Sequence, residues 1–170
     1  KKLNKNKINY WADTSGLLSL IRKDNISILS DFDLGFDKKH AKKLFSIFTK
    51  EKKFKILKGS YIRNNTFPKI AFLSKNKSKN FEPAVLDCIF YEKINRTYYR
   101  FGNKRIKFPA KYVENIDNFK FRDLSIPIPS MNKEYLTHLY GKKFMKKVGR
   151  SKVMFKHHKE NKISNHYLEK

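Results

Sequence analysis

Apolar residues along the chain switch repeatedly between helical spacing and strand alternation, the pattern of a mixed α/β domain. After a polar, basic lead-in over residues 1–9, Trp11, Leu17, Leu18, Leu20 and Ile21 predict a helix interrupted near Ser15-Gly16, where the glycine marks a turn or a close backbone approach. Ile26, Ile28 and Asp31-Phe32-Asp33-Leu34 read as an extended run ending at Gly35. Asp37 is placed to cap a helix from about Lys38 to Thr49, in which Ala41, Leu44, Phe45, Ile47 and Phe48 recur at helical spacing. Phe54–Leu57, Ile70–Leu73, Val85–Phe90 and Thr97–Phe101 are predicted strands of one sheet, with an exposed, mobile loop over Ser74–Asn80. Ile106–Pro109 leads through Phe119 and Phe121 to Ile126-Pro127-Ile128-Pro129, where alternate prolines forbid a central strand and predict an extended loop. Asn132 can cap a last helix holding Tyr135, Leu136, Leu139 and Tyr140, with Gly141 as its stop.

No internal repeat and no Pro/Gly/Ser-rich linker divides the sequence. A single domain over residues 1–170 is expected, with its core at about 10–141 and a basic tail at 142–170. Because the sequence starts at Lys1, a domain cut from a longer protein is a further expectation.

Composition changes this picture mainly through charge. Hydrophobic residues at 39% and aromatics at 15% make the chain too apolar for intrinsic disorder. The formal net charge of +25 favours nucleic acid, an anionic membrane surface or a phosphate-rich substrate, without choosing among them. Most of the basic residues are Lys, and Asn and Ile are also abundant, which an AT-rich genome would produce without selection for binding. No run approaches the roughly 18 apolar residues of a membrane span, and no apolar signal region follows the basic start, so any membrane contact is expected to be peripheral. Cys88, the only cysteine, lies in the apolar run Ala84–Phe90 and is expected to be a buried, inert thiol, compatible with a reducing compartment.

The candidate chemistry centres on acids. Residues two apart on a strand share a face, so Asp31 and Asp33 can bind one Mg²⁺ or Mn²⁺, hard cations that prefer oxygen ligands and leave positions for substrate phosphates. An isolated Asp-x-Asp is more often an exposed strand end, so its context decides. Asp87 sits in the most apolar predicted strand, where an ionised carboxylate is costly without a cation or hydrogen bonds. It suits a third metal ligand or a general base. Ser15-Gly16 at a helix opening could offer backbone amides and a hydroxyl to a phosphate, and Arg22 could pair with a phosphate or with one of the acids. There is no P-loop, Gly-x-Gly-x-x-Gly, Gly-x-Ser-x-Gly or zinc spacing, and His40, His138, His157, His158 and His166 read as surface residues.

The order of these features resembles the LicD and fukutin-related family. Tyr10-Trp11-Ala12-Asp13-Thr14-Ser15-Gly16-Leu17-Leu18-Ser19-Leu20-Ile21-Arg22 is similar to that family's Gly-Thr-Leu-Leu-Gly-x-x-Arg element, and Asp31-Phe32-Asp33-Leu34-Gly35-Phe36 to its Asp-x-Asp strand. Val85-Leu86-Asp87-Cys88-Ile89-Phe90 resembles its third-acid strand, and Pro127-Ile128-Pro129 through Tyr135-Leu136 to Tyr140-Gly141 its proline loop with Tyr-Leu and Tyr-Gly pairs. Two departures are visible: Leu29 and Ser30 stand where the family often has extra acids, and its Gly-Thr pair appears as Ser15-Gly16.

The resemblance implies a nucleotidyltransferase-like fold, a mixed β-sheet flanked by helices. It implies transfer of phosphocholine or a polyol phosphate from a CDP-activated donor (CDP-choline, CDP-ribitol or CDP-glycerol) to a sugar hydroxyl of a cell-surface glycan such as capsule, lipopolysaccharide or teichoic acid. Asp31, Asp33 and Asp87 would then be metal ligands, with Asp87 also catalytic, and Ser15, Gly16 and Arg22 would bind the donor phosphate. The expected location is the cytoplasm, or peripheral at the inner face of the membrane. Two alternatives stay open: a nucleotidyltransferase acting on RNA, protein or a small molecule, and a non-enzymatic basic module whose lysines and aromatics (Tyr61, Tyr98, Tyr99) hold nucleic acid or an anionic polymer.

Overall fold

A computed structural model describes residues 2–23, 31–58, 68–72 and 85–146. Ile26 and Ile28, Tyr61, the loop 74–80, His157, His158, His166 and the tail beyond Lys146 lie outside the described residues. In chain order the elements are α1 (Lys2–Lys5), β1 (Tyr10–Ala12), α2 (Thr14–Arg22), β2 (Asp31–Asp37), a 3-10 turn (Lys38–His40), α3 (Ala41–Thr49), β3 (Phe54–Lys58) and β4 (Pro68–Phe72). They continue with β5 (Val85–Ile94), β6 (Thr97–Arg100), β7 (Asn103–Pro109), α4 (Lys111–Glu114), β8 (Ile116–Phe121), β9 (Leu124–Pro129) and α5 (Asn132–Tyr140).

Seven of the described strands form one mixed sheet in the order β1-β2-β5-β4-β3, with β6 continuing from β5 and β7 from β6. β2 and β5 run parallel, and β1 lies antiparallel on the outer edge of β2. β5 is long enough to pair with β4 near its start and with β6 near its end. The expected mixed sheet flanked by helices is what the chain forms.

Strand alternation divides the core between the two faces of this sheet. On one face Leu34, Phe36, Ile70, Cys88 and Phe90 pack under α1 and α3 with Leu3, Ile8, Leu44 and Phe48. On the other, Trp11, Ile89, Tyr91 and Phe108 pack under α2 and α5 with Leu17, Leu20, Tyr135, Leu136, Leu139 and Phe144. The basic lead-in therefore contributes Leu3 and Ile8 to the core. One close fit fixes the edge of the sheet: the Trp11 indole lies on Gly35, its cross-strand partner, where a Cβ would penetrate the ring. The indole also stacks on Tyr91 at 5.9 Å.

Local expectations are met in part. Asp37 caps the turn into α3 by accepting a hydrogen bond from the Lys39 amide at 2.9 Å, and Gly141 ends α5 with φ +87° while its amide donates to the Thr137 carbonyl at 2.8 Å. The interrupted helix resolves into two elements, because Tyr10–Ala12 extends as β1 and α2 begins only after Asp13. Asn132 does not cap α5 with an acceptor; its amide donates to the Pro129 carbonyl at 3.1 Å. Ile126–Pro129 is not a loop but part of β9, which pairs with β8 in a separate two-stranded hairpin. Each strand of such a ribbon has a free edge, where a proline nitrogen sacrifices no ladder bond.

Candidate active site

The parallel register of β2 and β5 puts Asp33 level with Asp87, and Asp31 two residues earlier on the same face. Adjacent strands lie about 4.8 Å apart, so two carboxylates at one level can share a small ligand. Asp33 is buried at 9% exposure, whereas Asp31 and Asp87 are partly exposed. The register thus brings together the three acids expected from the sequence on the face covered by α2.

The start of α2 is built onto Asp33. The Asp13 amide donates to the Asp33 carbonyl at 3.0 Å, and the Ser15 amide donates to Asp33 Oδ2 at 3.1 Å. The Ser15 hydroxyl also donates to that oxygen. Gly16 makes this docking sterically feasible: a Cβ there would lie 3.0 Å from the Asp33 carbonyl oxygen, 3.1 Å from its nitrogen and 3.2 Å from Phe32 Cζ. Ser15 and Gly16 thus meet β2 through Asp33 itself, the close backbone approach that the glycine suggested.

Beneath this turn lies a residue that sequence reasoning did not single out. Asp13 is fully buried, and its carboxylate accepts three hydrogen bonds: from the Thr14 amide at 2.8 Å, Tyr135 hydroxyl at 2.6 Å and Tyr91 hydroxyl at 2.7 Å. Burial pushes its pKa up to about 6 against the opposing effect of the two tyrosine hydrogen bonds, and the Asp33 charge adds to the rise. Burial first, then the Asp13 charge, holds both tyrosine hydroxyls protonated well above their ordinary range. Thr14, between Asp13 and Ser15, adopts φ +37°, a conformation strained for a β-branched residue and held here by its buried surroundings. The Asp-Thr-Ser triplet at a helix start was the only local clue to Asp13 as a cap.

Burial is also the main cause of a raised pKa at Asp33. The Ser15 and Thr14 hydrogen bonds oppose it, Asp31 adds to it, and Arg100 is the cation that lowers it. Arg100, on β6 opposite Tyr91, is thus a second contributor found only from the structure. Tyr140 is a third: burial, then the Asp33 and Asp13 charges, raise its hydroxyl well above the usual range.

The structure places Arg22 away from the helix start that meets Asp33. Arg22 lies at the far end of α2, where its guanidinium donates through Nε to the Phe144 carbonyl at 2.6 Å and through Nη2 to the Phe144 and Lys146 carbonyls, the latter at 3.0 Å. Its donors secure the segment after α5.

Among the described residues, no three acid, histidine or cysteine side chains converge closely enough to hold a metal ion by themselves. The donor set still suits a hard cation bound together with a substrate. Mg²⁺ is commonly held by one or two carboxylates plus substrate phosphates and water, and a cation at Asp33 would offset both its burial and its repulsion from Asp31. Among the described residues no helix is long and apolar enough to cross a membrane.

A mixed sheet with carboxylates level on two adjacent parallel strands, and a helix start closing on one of them, is the layout expected of a nucleotidyltransferase-like fold. A sequence model of the LicD/FKTN/FKRP nucleotidyltransferase domain matches residues 7–131, most of the chain, and the chain belongs to that family. A similar solved structure is the crystal structure of the lincosamide antibiotic adenylyltransferase LnuA, lincomycin-bound. It is 15% identical with a TM-score of 0.46, and the match covers 86% of this chain and 91% of that chain. No curated protein matches the sequence at a significant level.

Proposed function

We propose that the chain is a metal-dependent transferase that moves a phosphate-linked group, phosphocholine or a polyol phosphate, from a CDP-activated donor to a sugar hydroxyl of a cell-surface glycan. The observation that carries this reading is the level pairing of Asp33 with Asp87 on the face where α2 closes, in a chain of the LicD/FKTN/FKRP family. Asp31, Asp33 and Asp87 would hold Mg²⁺ or Mn²⁺ only together with the donor's phosphate oxygens and water, and the bound cation would neutralise charge on the donor.

The protein's own groups divide the remaining work. Ser15 fixes the rotamer of Asp33 with two donors, and the Asp13-Tyr91-Tyr135 network fixes Ser15 by holding the turn that carries it. Arg100 supplies positive charge on the acid-bearing side. In the transfer, the acceptor oxygen forms a bond to the donor's distal phosphorus, the bond from that phosphorus to the bridging oxygen breaks, and CMP leaves with the electron pair. The acceptor proton passes to Asp87 or to water. Catalysis of this kind rests on positioning and charge neutralisation rather than on a covalent intermediate.

The test incubates the protein and Mg²⁺ with CDP-choline, CDP-ribitol, CDP-glycerol, CTP or ATP, each labelled in the group to be transferred, and glycan acceptors. Transfer from a CDP-linked donor that falls by about a thousandfold in Asp33→Asn supports the reading. Full activity in Asp33→Asn, or incorporation of nucleotide from CTP or ATP instead, overturns it.

A further inference from the structure

At the end of α2 remote from the acids, the surface combines exposed aliphatic side chains with positive charge. The β8–β9 hairpin packs Phe119, Phe121 and Ile126 against the core and turns through Arg122-Asp123. Leu124, the first residue after that turn, is 55% exposed. Arg122 holds φ +53°, a backbone conformation usually left to Gly or Asn, and its guanidinium sits 5.5 Å from the Phe121 ring centroid. Between the hairpin and the last turns of α2 lies a groove of about 310 Å³, bordered by Leu20, Phe119 and Phe121 and by the exposed Lys23, Lys120 and Arg122. The bonds from Arg22 to the Phe144 and Lys146 carbonyls bring the next segment to the same end of α2. There Phe144 is buried, Met145 is 53% exposed, and Lys142, Lys143 and Lys146 are exposed. Asp123 is the acid within this turn.

We infer that this end of the molecule is a docking surface for an anionic phospholipid bilayer. Lysine and arginine near such a surface are attracted by its negative potential, while exposed aliphatic side chains enter the boundary between headgroups and acyl chains. The chemistry distinguishes a bilayer from single-stranded nucleic acid. A strand needs exposed aromatic faces for its bases, but Phe119 and Phe121 are packed against the core, and the side chains presented outward are Leu124 and Met145. The nine residues of α2 span about 13 Å, so docking at this end leaves the acids at its other end clear of the lipid.

Sedimentation with vesicles tests this surface on the full chain. Phosphatidylcholine vesicles with and without phosphatidylserine are compared for the wild type, for Leu124→Ser/Met145→Ser and for Lys120→Glu/Arg122→Glu, with circular dichroism confirming that each variant is folded. The wild type is expected to bind only the vesicles containing phosphatidylserine. The aliphatic pair should weaken binding about tenfold, and loss of the two cations at least about twentyfold. Transfer to a soluble acceptor should be unchanged in both variants, which separates failure of this surface from failure of the proposed activity. Two results overturn the inference: vesicle binding that both variants retain, and binding that depends on the cations but not on Leu124 and Met145, which would describe a general polyanion surface.

Discussion

Asp13→Asn replaces the buried cap with a side chain of the same shape that cannot ionise. In the folded protein the Asp13 carboxyl titrates at about 6 against an ordinary 3.8, because burial disfavours its charge more than the tyrosine hydrogen bonds favour it. A folded-state pKa above the unfolded one means that the native state binds the proton more tightly between these values. The resulting stabilisation is complete below about pH 4 and is lost as pH rises through 6. About two units at 1.36 kcal/mol each give an order of 3 kcal/mol. The assay is urea unfolding of wild type and variant in chelator at several pH values from about 4.5 to 7.5. Titrations common to both proteins cancel in the difference, apart from the smaller coupling to Asp33. The stability of wild type relative to variant should fall by about 2 kcal/mol across that range. A difference constant to within about 0.5 kcal/mol would refute the assigned burial and charge state of Asp13.

Other substitutions probe the packing that holds the turn. Gly16→Ala places a methyl 3.0–3.2 Å from β2 backbone and the Phe32 ring and should cost about 1–3 kcal/mol in thermal or urea unfolding, with transfer activity reduced further by displacement of Ser15 from Asp33. Gly35→Ala forces the Trp11 indole out of its seat; a loss above about 3 kcal/mol and altered tryptophan fluorescence are expected. Tyr91→Phe and Tyr135→Phe each remove a donor from the Asp13 carboxylate, and each should cost about 1–3 kcal/mol by urea unfolding at pH 7, with the double variant departing from additivity because both act on one group. Cys88 is fully buried and its thiol is pushed far up by burial, so a disulfide exchange reagent should modify it only after unfolding.

The sequence made the acids readable because their geometry is local. Two carboxylates two apart on a strand share a face in any sheet, and an aspartate in an apolar run advertises a strand that must sit nearby. Gly16 was readable as a close approach for a similar reason, since a lone glycine at a helix opening has few other uses. The Asp13 network was hidden because Tyr91 and Tyr135 lie 78 and 122 residues away along the chain. The partners of Arg22 were hidden in the same way, being carbonyls 122 and 124 residues distant. β1 is three residues long, too short to display alternation, and the proline rule that excluded a central strand was silent about a two-stranded ribbon. Leu3 and Ile8 were lost among lysines and asparagines, although burial of two aliphatic residues is enough to seat the lead-in on the sheet.

On the proposed function, the acid-bearing face of β2 and β5 would hold a divalent cation together with a cytidine diphosphate group. Mn²⁺ binding followed by electron paramagnetic resonance, with and without CDP, measures this without requiring the acceptor. Wild type is expected to take up Mn²⁺ in a manner strengthened by CDP, with affinity reduced about tenfold or more in Asp33→Asn and in Asp87→Asn and less in Ser15→Ala. Equal, CDP-independent uptake by wild type and both aspartate variants would contradict it.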